Sequence, residues 1–390
     1  MRIKSVEARW LRVPIPSDRQ HRSDFGLHTS FDTSLVRIET DTGLVGWGEA
    51  KAAVGGSGTY SALTHIINED LGPLLIGQDA LSPARSWEEM YNRSRTHYAL
   101  DRGHAFPDLA RRGLTVSAMS GIDIALWDLL GKHLEVPVWQ LLGGCVHDWL
   151  PAYASGGWAS AKDIGEQLQG YIDQGGFKAV KMRVGAQDET VNGSVDRVRA
   201  ARTHLGESVD IMVDAHGTFT ARDARRFARK VEDCDLHWFE EPVSADDLQG
   251  QAELRRATDI AIACGESLMT RFDFRDNIEA RGVDILQPDP AICGGITESQ
   301  RISALAAAHQ LRLAPHLWGG AVMFAAGFHV CVASPSAYIL EYSLAHNPMQ
   351  HELVTNMFPL VDGGMKAPQA PGLGVEIDEA FVNKMTVAEI

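Results

Sequence analysis

The stretch LHWFEEPVSADDLQGQAELRRATDIAIACGE, residues 236–266, decides the fold. Each end is a short apolar run that finishes on a carboxylate: Glu240 with Glu241 at one end, Glu266 at the other. The segment between them, 246–257, has helical spacing of apolar residues. Strand, helix and strand in this order imply a parallel pair joined by a right-handed crossover. The beat extends both ways, through YASGG (153–157), KAVKMRV (178–184), VDIMVDA (209–215), VDILQPD (283–289), RLAPHL (312–317) and AYILEYS (337–343). Helical stretches at 160–174, 188–205, 221–232 and 298–309 separate these runs. Eight strand candidates of this kind fit an α/β chain closed into a barrel of about 200 residues. An open doubly wound sheet is the rival, but no G-x-G-x-x-G follows the first strand.

The first third has a different texture. Two strands are expected at 3–13 and 33–39, with a hairpin signal in DTGLVGWGEA, 41–50. Residues 60–134 read as helical, most clearly where Ala118, Ile122, Ala125, Leu126 and Leu129 share one face. The polar stretch 17–30, with Arg19, His21, Arg22 and His28, reads as a solvated loop or as a lid. The Gly- and Pro-rich end, 360–390, is expected to return to the N-terminal region. The expected partition is a capping domain at 1–134, a barrel at 135–358 and a returning tail at 359–390.

The chain has 390 residues, 45% of them hydrophobic and 22% charged, which excludes a disordered or fibrous protein. Lys and Arg number 36 against 51 Asp and Glu, a net charge of −15. Such an excess of carboxylates repels phosphate backbones and anionic membranes, so neither nucleic acid nor membrane is an expected partner. No run is expected to be apolar over the roughly 18 residues of a membrane span. Five scattered cysteines without a CxxC suit a reducing compartment, and the start reads as a strand rather than a signal peptide. The expectation is a cytoplasmic protein.

In a barrel, chemistry gathers at the C-terminal strand ends. There the sequence places Lys181 and Arg183, then Asp214, Glu240, Glu266, Asp289, His316 and Glu341. From Asp214 onward they lie 26, 26, 23, 27 and 25 residues apart, one strand–helix unit each. Asp214, Glu240 and Glu266 from adjacent strands would repel one another without a cation, and a divalent ion with oxygen ligands resolves that cost. Asp289 beside His316 would orient the imidazole as a general acid–base. Lys181 and Arg183, alternate residues of one strand, both point inward; they balance the acidic ring or take part in catalysis.

Together these stretches resemble the enolase superfamily in its mandelate racemase-like subgroup. The signatures are GWGE (46–49), SGIDIALWDLLGK (120–132), LLGG (141–144), VDAHG (213–217), WFEEP (238–242), GES (265–267), QPD (287–289) with CGGIT (293–297), PHLWGG (315–320) and LEYS (340–343). The resemblance implies a modified (β/α)7β TIM barrel under an α+β cap built from the N-terminal region and the C-terminal tail. It implies one Mg²⁺ per chain on Asp214, Glu240 and Glu266, and a catalytic dyad of His316 and Asp289. Glu341 would hydrogen-bond a substrate carboxylate oxygen, a role that requires it to be protonated or to share a proton. The stretch 17–30 becomes a lid, with His21, Arg22 and His28, joined by Trp318 of PHLWGG, as substrate-binding candidates. Relatives form dimers to octamers, so a homo-oligomer is expected.

Two departures narrow the reaction. Many relatives carry Lys-x-Lys where this chain has Lys181-Met182-Arg183, and a guanidinium is a poor base. That weakens a racemase or epimerase, which needs a base on both faces. His216 in VDAHG stands where many relatives have Asn; it resembles the strand-three His of sugar acid dehydratases, acting as acid–base or contacting a substrate hydroxyl. The implied activity is a Mg²⁺-dependent hydro-lyase acting on a sugar acid, aldonate or aldarate. His316 or Lys181 would take the proton α to the carboxylate, giving an enediolate, and His316 or His216 would protonate the leaving β-hydroxyl. A 2-keto-3-deoxy sugar acid results. Cycloisomerisation of an aldarolactone shares the first step; a non-catalytic binder of sugar acids is the alternative from another class.

Overall fold

The computed structural model describes residues 1–18, 20–52, 57–344 and 347–387, and only the backbone at 21–23, 57 and 58. Eight parallel strands carry the fold: β6 (Trp149–Ser155), β7 (Ala179–Arg183), β8 (Asp210–Asp214), β9 (Leu236–Glu240), β10 (Ala261–Cys264), β11 (Ile285–Leu286), β12 (Arg312–Leu313) and β13 (Leu340–Ser343). They run in sequence order from β6 to β12, and β13 pairs with β6. An isolated bridge from Leu313 of β12 to Ala337, three residues before β13, closes the ring. Seven crossover helices separate the eight strands among the described residues, the (β/α)7β arrangement expected. Two of them, Thr270–Glu279 and Ala321–Ala333, went unread in the sequence. The second is apolar all round and buried, so it lacks the one-sided pattern that marks a surface helix.

The N-terminal antiparallel sheet is β1 (Ile3–Pro14), β4 (Ser30–Thr40) and β5 (Val45–Ala50) in the order β1-β4-β5. The helix Leu114–His133 packs on β5, and this contact explains two motifs at once. A Cβ on Gly48 would collide with the carbonyl of Gly121, and a Cβ on Gly121 would lie 2.8 Å from Val36 and 2.9 Å from Ala50. Only bare backbone lets strand and helix approach so closely. By length and composition this helix could span a membrane, contrary to expectation, but 78% of its apolar window is buried inside the protein.

Within the stretch read as a loop or lid, β2 (His21–Ser23) and β3 (Gly26–His28) form a small hairpin; Arg19 lies outside the described residues. The tail does return. Strand β14 (Gly364–Lys366) pairs with β6, and Val387 donates its amide to Trp10 of β1 at 2.9 Å. Glu49 fastens cap to barrel by accepting from the amides of Gly320 (2.8 Å) and Met323 (3.0 Å), at the N-terminus of helix Ala321–Ala333. Burial raises the Glu49 pKa, and these two amides with Thr33 oppose the rise.

Candidate active site

Strand alternation builds the site in layers. Tyr153, Ala179, Met212, Trp238, Ala263, Ile285, Ala314 and Ile339 pack together inside the barrel as an apolar floor. Two residues further along the strands, the same inward face carries Lys181, Asp214, Glu240, Gln287, His316 and Glu341. Every one of these six side chains is buried.

Lys181 Nζ lies 2.6 Å from Glu240, 3.0 Å from Glu341 and 3.7 Å from Asp214. Arg183 forms an ion pair with Asp214, its guanidinium 5.8 Å from the Trp158 ring and 5.6 Å from the Trp318 ring. Glu240 also accepts from Trp238 Nε1 (2.9 Å) and Gln287 Nε2 (2.8 Å), partners the sequence reading did not single out. Glu341 sits between Lys181 and the loop after β12. Burial alone would raise its pKa, but the charges of Lys181 and His316 hold it below the usual carboxylate range. One of its oxygens accepts from the Leu317 amide at 2.8 Å, and Lys181 Nζ lies 3.0 Å from the other.

Two imidazoles flank the acidic cluster. His316 Nδ1 is 2.9 Å from Asp289 Oδ2, and its Nε2 is 3.4 Å from Glu266. His216 repeats the pattern: Nδ1 is 2.8 Å from Asp24 Oδ2 and Nε2 is 3.3 Å from Asp214. Its backbone turns into the left-handed region (φ 45°), unusual for a residue with a side chain, where the chain leaves β8. Burial would raise the Glu266 pKa, yet His316, His216, Lys181 and Arg183 bring it down to about 2.

Sequence reasoning missed Lys51 and Asp24. Lys51 Nζ reaches from the cap to Asp289 (3.2 Å) and the Trp318 carbonyl (2.6 Å). Asp24 sits in the expected lid, but its pairing across 192 residues leaves no local signal. A cavity of about 250 Å³ beside these groups is lined by His28, Asp32, Glu49, Lys51, Trp318 and Asn347, among others. His28 and Trp318 both line it; burial lowers the His28 pKa, with Asp24 opposing. The side chains of His21 and Arg22 lie outside the described residues.

The donor set suits a hard divalent cation. Ligand atoms of Asp214, His216 and Glu266 lie within 4.8 Å of one another. Asp214 Oδ2 and Glu266 Oε2 are buried with ion-pair neighbours only, Arg183 beside the first and His316 Nε2 at 3.4 Å from the second, and neither oxygen accepts an aligned hydrogen bond among the described residues. Carboxylate oxygens left in this way match the preference of Mg²⁺ for oxygen ligands. Glu240 neighbours this group on the adjacent strand, its oxygens shared with Lys181, Trp238 and Gln287.

Residues 10–143 match the family described as mandelate racemase / muconate lactonizing enzyme, N-terminal domain, and residues 163–381 match the enolase C-terminal domain-like family. The chain is 34% identical over 389 residues to a 3,6-anhydro-alpha-L-galactonate cycloisomerase of Streptomyces coelicolor, covering 99% of both chains. It is 36% identical over 360 residues to a D-galactonate dehydratase of Ralstonia pickettii, covering 89% of each. A racemase from Streptomyces coelicolor with bound magnesium superposes with a TM-score of 0.86 at 33% identity, over 99% of this chain and 100% of that one.

Proposed function

The chain belongs to the enolase superfamily, in its mandelate racemase-like subgroup, and from that premise we propose that it is a Mg²⁺-dependent dehydratase of a sugar acid. The observation that carries the proposal is the pair of buried imidazoles, His316 on Asp289 and His216 on Asp24, each with Nε2 turned to the acidic cluster. Two proton-transfer groups suit an elimination, which removes one proton and delivers another.

Asp214, Glu240 and Glu266 would hold the Mg²⁺, which when bound supplies positive charge to the substrate carboxylate and makes its α-proton more acidic. Lys181, in contact with three carboxylates, acts as fixed charge rather than as base. Arg183, stacked near two indoles, suits forked binding of a carboxylate. His316 Nε2 takes the proton from C2, and Asp289 holds the ring through Nδ1. The electron pair left at C2 forms the enediolate, then expels the C3 hydroxyl. His216, or His316 itself, gives that hydroxyl a proton, and water leaves. The enol tautomerises to the 2-keto-3-deoxy acid. The cavity lined by His28, Asp32, Lys51 and Asn347 offers donors and acceptors to a polyhydroxylated tail.

A second reading, cycloisomerisation, is favoured by the whole-length similarity to the Streptomyces coelicolor cycloisomerase. The same His316 step would open it, with a ring oxygen leaving in place of water. A library of sugar acids and their lactones and anhydro forms, incubated with Mg²⁺, separates the two. Semicarbazide trapping of a 2-keto product that has lost one water supports the dehydratase; a 2-keto product of unchanged mass supports the cycloisomerase. His316→Asn should lower kcat at least about 100-fold in either case. Absence of turnover across the library, or full activity in the variant, contradicts the proposal.

A further inference from the structure

We propose that Asp24 is a positioning residue that makes the orientation of His216 conditional on seating of the β2–β3 hairpin. This rests on the reading of His216 as a proton donor, and it adds a residue from the cap to that face of the site.

Asp24 and Phe25 form the tip between β2 and β3. Both Asp24 oxygens approach His216 Nδ1, at 2.8 and 3.1 Å, and each of the two side chains is only 8% exposed. The Phe25 ring lies against the imidazole, 4.7 Å between centroids and tilted by 50°. On the far side His216 Nε2 is 3.3 Å from Asp214. The ring is therefore held on one edge and one face by the hairpin tip, with its other nitrogen presented to the acidic cluster. His316 is held in the same way, but its partner Asp289 belongs to the barrel. The asymmetry is the point. One imidazole is oriented by the scaffold, and the other by a hairpin of two three-residue strands.

Such a hairpin has little stability of its own. Its contacts with the barrel must help to hold it, and the carboxylate–imidazole pair is among them. A carboxylate on Nδ1 selects one ring orientation and directs Nε2 to the opposite side. With the hairpin lifted, His216 keeps its strained backbone but loses the partner that aims its ring. Seating and aiming are then one equilibrium, and by linkage each stabilises the other. Proton delivery on the His216 face would follow closure, whereas abstraction by His316 needs no cap carboxylate.

The first readout needs no substrate. Hydrogen–deuterium exchange of amides 21–28 is followed in the full-length wild type, Asp24→Ala, His216→Ala and the double variant. Each single substitution should speed exchange by about 10-fold, and the double should add nothing further. Exchange unchanged in His216→Ala, or fully additive effects, overturns the coupling. The second readout uses the sugar acid that the wild type consumes, in D₂O. Asp24→Ala should lower elimination about 100-fold through kcat with little change in KM, while deuterium appears at C2 of the unreacted substrate. Asp24→Glu should recover part of the loss. If exchange at C2 and elimination fall together, or neither falls, Asp24 does not aim a proton donor. If the wild type consumes no sugar acid, the proposed activity fails while the amide-exchange result still decides the coupling.

Discussion

Lys51 Nζ lies 3.2 Å from the same Asp289 oxygen that His316 Nδ1 approaches at 2.9 Å. A lysine of the cap thus shares the carboxylate that orients the candidate base. Its second bond, 2.6 Å to the Trp318 carbonyl, ties it to the loop after β12. The ammonium is one support of the dyad, and it sits on an element other than the barrel.

Lys51→Ala should therefore cost more than a surface lysine would. The Trp318 carbonyl loses its Lys51 donor, and the buried Asp289 loses a countercharge. A loss of about 1–3 kcal/mol in unfolding free energy is expected by urea titration. A change within the error of the titration would mean the contact contributes nothing.

Buried His329 predicts a pH dependence remote from the acidic cluster. Its Nδ1 accepts from the Trp139 amide at 3.2 Å, and its Nε2 lies 3.1 Å from the Leu373 carbonyl, an arrangement that needs a neutral ring. Burial lowers its pKa from 6.5 to about 4, against the opposing Leu373 bond. The unfolded chain then binds a proton that the folded chain refuses. Stability should fall as pH drops from 6.5 to about 4, by roughly 1.4 kcal/mol per pH unit from this group, and level off below. Comparing His329→Gln with the wild type by chemical denaturation at several pH values isolates the slope. Equal slopes would refute the assignment.

Arg183 supplies a third expectation. A guanidinium in that place binds but does not take protons. Arg183→Lys should add a competent base on the face opposite His316, so that C2 of the substrate exchanges with D₂O and epimer accumulates. NMR of the recovered substrate detects both. No exchange beyond the wild-type level would show that something other than basicity blocks racemisation.

Much of this was legible because barrel strands are short and periodic. Asp214, Glu240 and Glu266 could be placed on one mouth from spacing alone, since one strand–helix unit separates each from the next. The expected strands and the five helices singled out recur in the structure with shifted ends. What stayed hidden was pairing at a distance. Lys51 meets Asp289 across 238 residues and Asp24 meets His216 across 192, and neither has a periodic signal. The helix Ala321–Ala333 hid for the opposite reason, being apolar on every side. The closeness of Lys181, inward on β7, to Glu341 at 3.0 Å was likewise unreadable, because only the closed barrel brings the two strands together.

The central claim is one divalent cation per chain, held by carboxylates from three adjacent strands. Isothermal titration of the full-length protein with Mg²⁺ tests it most directly, in the wild type and in Asp214→Asn, Glu240→Gln and Glu266→Gln. One ion per chain is expected, with affinity lowered by at least about 10-fold in each variant. Absence of binding in the wild type, or affinity unmoved by all three substitutions, would contradict the account.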